Sequence, residues 1–137
     1  IIADSRTLRG TQALFGGDMP GACLFALPEY IQKNRLVIQA MTNAIVRALK
    51  WLQSAGPRDL IRGLPEANFL GDRGLFLATY QNMRESISLD GVTSEDAARL
   101  SLKVMSSFDA TVKAERLDIG KAYTNMFAKQ AKSQFDA

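Results

Sequence analysis

Histidine is absent from the 137 residues, and cysteine occurs once. Without an imidazole the chain alone builds no Ser-His-Asp or Cys-His catalytic arrangement, and it offers no histidine ligand for zinc. Cys23 can form neither an intrachain disulfide nor a thiolate cluster. It stands between Ala22 and Leu24 in an apolar run, so it is expected to serve as a small buried hydrophobe. No apolar stretch reaches the ~18 residues that a membrane-spanning helix needs.

Strong charge of one sign is also missing. Lys and Arg total 17 and Asp and Glu total 14, for a net charge of +3. The basic residues are scattered, and the densest group, Lys121, Lys129 and Lys132, fits one solvated helix face. A nucleic-acid reader carries a basic stripe interleaved with stacking aromatics, so no nucleic-acid partner is expected. The carboxylates Glu66, Asp72, Asp90, Glu95 and Asp96 fall at loops and helix starts, where capping accounts for them. No spacing points to an acid/base pair, a metal site or a cofactor, and the chain is expected not to be an enzyme. Internal repeats and low-complexity tracts are lacking as well.

What remains is ordinary globular composition, 47% hydrophobic and 23% charged, in a length suited to one domain. The first residue is Ile1 rather than Met, so the chain is expected to start inside a longer gene product, with any export signal upstream.

Ile1 to Ala3 is an apolar start, and Asp4 to Thr11 reads as polar loop with strand character at its beginning. Phe15 to Pro20 is a turn, because two glycines permit positive φ and Pro20 removes a donor. Gly21 to Leu27 is an apolar run long enough for one buried strand. Pro28 suits the first turn of a short helix, Pro28 to Lys33. From Arg35 to Ala55 the polar residues Gln39, Asn43, Arg47, Lys50 and Ser54 recur every three or four positions. That is one narrow wet stripe on an otherwise apolar helix, which should be packed on most sides. Gly56-Pro57 ends it and opens another short helix. Helices are expected over Gly71 to Ser86, from Thr93-Ser94-Glu95-Asp96 onward, and from Asp118 to the end with Ile119, Ala122, Tyr123, Met126 and Phe127 on one face.

The glycine pair Gly16-Gly17 is not a nucleotide loop. No lysine follows it, Asp18 would repel phosphate, and it precedes an apolar run where a dinucleotide fingerprint would follow a strand. It is either a plain turn or a turn lining a ligand cleft. Arg6 and Arg9 could meet an anion or simply be solvated. Because one buried strand needs neighbours, Gly21 to Leu27 hints that a sheet lies outside this chain.

The stretches "DSRTLRGTQALFGGDMPGACLFALPEYIQKN", "AMTNAIVRALKWLQSAG", "LPEANFLGDRGLFLATYQNM", "LDGVTSEDAARLSLKVMSSFD" and "RLDIGKAYTNMFAKQA" resemble the C-terminal part of periplasmic solute-binding proteins of ABC importers. The branch is the nitrate/sulfonate/taurine type, which includes binders of a thiamine-pyrimidine precursor. The D-G-x-[TS] turn at Asp90 to Thr93 and the Tyr-Thr-Asn-x-Phe stretch at Tyr123 to Phe127 carry most of the likeness.

The resemblance implies an α/β parent fold, the two-lobed type II arrangement, of which this chain would be a mostly α part with one or two short strands. Residues 1–20 would leave the second lobe and make the hinge crossing. Residues 21–137 would be a strand plus helices of the C-terminal part of the first lobe. Thr11, Gly16, Gly17 and Met19 would form at most one wall of the cleft. The implied function is capture of a small anion, such as a sulfonate or nitrate, for delivery to an ABC permease. The implied place is the periplasm, or a lipid-anchored extracellular position in a one-membrane organism. Alternatives are a thiamine-pyrimidine-precursor binder or synthase-related protein of the same fold, and a stand-alone helical interaction module. Stripped of its neighbours, the chain is expected to self-associate through Gly21 to Leu27.

Overall fold

In a computed structural model that describes residues 3–112 and 117–135, prolines, glycines and side-chain caps punctuate a series of helices. Helix α1 spans Leu8–Phe15, α2 Pro28–Lys33, α3 Arg35–Ser54, α4 Pro57–Gly63, α5 Arg73–Met83, α6 Glu95–Phe108, α7 Ile119–Ala122 and α8 Met126–Phe135. Short 3-10 turns at Glu66–Phe69 and Arg84–Ser86 flank α5.

The starts follow local chemistry. Pro28 and Pro57 open α2 and α4, where a missing N–H costs nothing. Thr7, Asp72, Ser94 and Asp118 each accept a hydrogen bond from a backbone N–H of the helix they precede. Gly16 ends α1 in the left-handed region, φ +82°, the conformation a helix stop asks of glycine.

Two expectations about fold are corrected. The described residues are all-helical in their regular structure, with no strand and no sheet, so the α/β class with one or two short strands does not hold for them. The apolar start at Ile1 and Ile2 lies outside the described residues. Gly21 to Leu27 runs without regular structure, and a strand exists only through its ladder, which none of the described residues supplies. Cys23 is accordingly exposed rather than buried. The second correction concerns residues read as loop. Leu8–Phe15 is helical, capped by Thr7 Oγ1, which accepts from the Gly10 N–H at 3.0 Å.

One end of the chain's core gathers where α3 meets α4 and α5. Ala55, Leu60 and Tyr80 are buried there, with Leu52, Leu64, Phe76, Leu77 and Ile87 against them. Tyr80 Oη donates to the Leu52 carbonyl, and the Arg84 guanidinium lies 5.0 Å from the Tyr80 ring centre. Phe69 meets Phe76 edge-on at 5.0 Å. The buried face of α5 is therefore Phe76, Leu77 and Tyr80, and Leu75 is exposed.

The first half of helix α3 inverts the expected arrangement, while Arg47 and Ser54 further along are exposed as the wet stripe requires. Its polar residues Gln39 and Asn43 sit in the seam with α8: Gln39 Nε2 donates to the Phe127 carbonyl at 3.0 Å, and Asn43 Nδ2 donates to Gln134 Oε1 at 3.1 Å. Ile38 and Val46 are buried beside this seam. The apolar residues Val37, Met41 and Ile45 face outward, and Leu36 is 87% exposed.

The last helix is also split. The chain breaks at 123–125, between α7 and α8. There Asn125 binds the turn before α6: its Oδ1 accepts from the Thr93 N–H at 3.0 Å, and its Nδ2 donates to the Thr93 carbonyl at 2.8 Å. Lys132 Nζ meets Asp90 Oδ2 at 2.8 Å one step away. The two motifs that carried the family likeness thus contact each other. Gly91, at φ +71°, makes the tight bend that brings them together.

Candidate functional site

The N-terminal arm is tied down before it reaches the site. Ser86 Oγ donates to the Arg6 carbonyl at 2.8 Å, and the Leu8 N–H donates to Glu85 Oε1 at 3.3 Å. Gly10 runs so close to the arm that a Cβ there would lie 1.9 Å from the Asp4 carbonyl oxygen. Arg6 is clasped by Asp4 through two bonds of 2.8 and 2.6 Å. The Arg6 side chain, by donating to it, draws the Asp4 carboxyl down to about 2. Asp4 thus engages two of the five donors of the exposed Arg6 guanidinium.

This anchoring sets the end of α1 against the start of α6. Between them lies an open cleft of about 600 Å³, lined on one side by Gln12, Gly16, Gly17 and Asp18 and on the other by the first turns of α6. Gly17 permits the approach, since a Cβ there would come within 3.2 Å of Leu100 Cδ2. Asp18 accepts from Gln12 Nε2 at 2.9 Å, which holds its carboxylate at the rim.

Across the gap, Arg99 and Lys103 sit one turn apart on α6, and Ser94 and Asp96 stand at its start. Arg99 is bound by Glu95, an i,i+4 pair, with Nε to Oε1 at 3.0 Å. That hydrogen bond raises the pKa of the guanidinium and keeps its charge fixed. A guanidinium carries five donors, so this pairing leaves others free. Lys103 has no carboxylate partner among the described residues. Arg99 and Lys103 also border a second hollow of about 460 Å³ toward Asp118 and Ile119.

Of the four residues expected to line a cleft, the structure brings two to it. Gly16 and Gly17 form its near wall. Thr11 does not reach it, because its hydroxyl donates to the Ser5 carbonyl at 2.9 Å. Met19 does not line it either, and its sulfur accepts from Ser101 Oγ at 3.7 Å. Arg99 and Lys103 were missed. Their i,i+4 spacing reads as an ordinary solvated helix face, and the close approach of Gly17 to Leu100, with the Ser101–Met19 contact, gives that helix a partner.

Among the described residues no group of His, Cys, Asp and Glu is placed to hold a metal ion, and no helix is long and apolar enough to cross a membrane. The cleft balances two cations against Asp18 and Asp96, and its glycine wall exposes backbone. Such a lining can hold a small ligand by hydrogen bonds and charge.

No protein-family model and no curated protein matches the chain. A solved structure of a protein from Bordetella bronchiseptica RB50 is similar, with a TM-score of 0.94 and 39% identity across all of this chain. This chain spans 43% of that one.

Proposed function

We propose that the chain supplies one wall of a solute-binding site, in a component that captures a small anion and passes it to the permease of an ABC importer. The observation that carries the reading is the cleft itself. The Gly16-Gly17 turn faces Arg99 and Lys103 across a gap open to solvent. Glycine lets a ligand reach the main chain, Lys103 brings an uncommitted charge, and Arg99 brings a fixed fork suited to an oxyanion. The likeness to part of a longer Bordetella chain supports a wall rather than a complete site.

The charge balance ranks the candidates. Asp18 and Asp96 stand near the two cations, which penalises a bare anion and favours a ligand carrying both signs. An aminosulfonate such as taurine therefore fits better than nitrate. Binding and release involve no bond making, so no turnover is expected.

The test is calorimetric titration of the complete protein with taurine, simple alkanesulfonates, nitrate and pyrimidines. Taurine should bind most tightly, and Lys103→Glu should weaken it at least about tenfold, as reversal of a close charge does. A flat trace with every compound, or equal binding by the Lys103 variant, would refute the reading.

A further inference from the structure

The accessible surface of this chain is 10234 Å². A compact monomer of 15.0 kDa exposes only about 7,000 Å². The excess, roughly 3,000 Å², is several times the ~800 Å² that each partner contributes to a standard recognition interface.

Exposed large apolar residues occur along the whole chain, and two elements carry them in groups. In Gly21 to Leu27, Phe25 is 87% and Leu27 72% exposed, and Cys23 and Leu24 are exposed with them. No backbone N–H of that segment donates to a carbonyl among the described residues. Irregular backbone that carries exposed apolar side chains is a docking element, because covering those side chains removes apolar surface from water. The second element is the outer face of α3, where Val37, Met41 and Ile45 lie at helical spacing toward solvent. A helix normally turns such a stripe inward. Here the inward side is taken by the Gln39–Asn43 seam with α8.

We infer that both surfaces are covered by further polypeptide of one longer protein, the counterpart of that part of the Bordetella chain which this chain does not span. One observation selects this occupant over a second copy, and two more agree with it. The same arrangement, at a TM-score of 0.94, occurs within a longer chain, of which more than half has no counterpart here. The excess area is of the size that obligate contacts bury, within one chain or between copies, and is beyond what a transient partner covers. The exposed apolar residues lie on separate elements, which a continuous chain can wrap. The docking does not depend on the solute reading and would hold for any cargo.

Cys23 reports on it directly. The chain alone and the chain joined to the unmatched part of the Bordetella sequence are treated with a thiol reagent under native conditions. In the chain alone, Cys23 should react at nearly the unfolded rate, and the chain should bind a hydrophobic dye. In the joined protein it should react about a hundredfold more slowly, as an amide or thiol does when covered by a stable body. Should the joined protein fail to fold, the intact Bordetella chain, given a cysteine at the position aligned with Cys23, gives the same readout in a protein that folds. Rapid labelling in a folded long chain would overturn the inference. So would a discrete dimer of the short chain with Cys23 protected, which would make a second copy the occupant. A cooperative, dye-free monomer of the short chain would overturn it too.

Discussion

Replacing Asn125 tests the joint between the two motifs most sharply. Its carboxamide makes both polar groups of Thr93 whole, one bond at 3.0 Å and one at 2.8 Å. The site is part-buried, so water replaces the lost partner imperfectly. Each such bond contributes about 1 kcal/mol net, and Asn125→Ala should therefore cost about 2 kcal/mol. For a chain of this size that corresponds to a drop in Tm of about 6–10 °C.

Asn125→Asp refines the test. At neutral pH the introduced carboxylate still accepts from the Thr93 N–H, but its second oxygen faces the Thr93 carbonyl, and two acceptors repel. Protonation supplies the missing donor. The introduced carboxyl should thus have a folded pKa above its unfolded value of ~3.9. Its favourable contribution is then present below ~pH 3.9 and lost as pH rises through the folded pKa. Melting curves of wild type, Asn125→Ala and Asn125→Asp between pH 3.5 and 7, read as differences from wild type, separate these behaviours. The reasoning fails if Asn125→Ala melts with wild type, or if the Asp variant tracks the Ala variant at every pH.

Burial alone would push the Asp90 carboxyl up, but the bonds from Lys132 and the Val92 N–H outweigh it and leave the pKa lowered. A depressed folded pKa gives stability present above the unfolded value and lost as pH falls through the folded one, so Asp90→Asn should flatten part of the acid limb of a stability–pH curve. Leu70 holds φ +49° while 93% exposed, so Leu70→Asn should stabilise the chain by roughly 0.5–1 kcal/mol, checked by urea unfolding, because asparagine tolerates the left-handed region better. Gly10→Ala should drive the arm off α1, because its Cβ meets main chain rather than a movable side chain; trypsin cleavage after Arg6 should then rise well above wild type while the melting of the core stays put. In the same arm, NMR titration should find the Asp4 carboxyl near 2, returning toward the ordinary carboxylate range in Arg6→Gln.

Local punctuation was the readable part of the fold. Pro28, Gly56-Pro57, Ser94 and Asp118 each announce a helix start by chemistry that acts within four residues, and each start is found. Helix α1 was hidden because Gly10, required by the Asp4 carbonyl, dilutes its helical pattern. Gly21 to Leu27 misled because an apolar run of that length reads equally as strand or as something else, and pairing decides which. The orientation of α3 was out of reach for a related reason. A polar stripe reads as wet unless the matching side chains are known to face it, and Asn43 finds Gln134 91 positions away. The site divides in the same way. Gly16 and Gly17 were found through turn chemistry, whereas Arg99 and Lys103 acquire meaning only when α6 is brought against α1.

The hydrogen-bonded seam between α3 and α8 has a consequence for the order in which the molecule is built. A ribosome releases Gln39 and Asn43 long before Phe127 and Gln134 exist. During that wait, amide side chains rest comfortably in water, so the docking ground for the final helix stays soluble and neither clumps nor closes prematurely. The opposite flank of α3 has no such patience, and whatever shelters it must be at hand early.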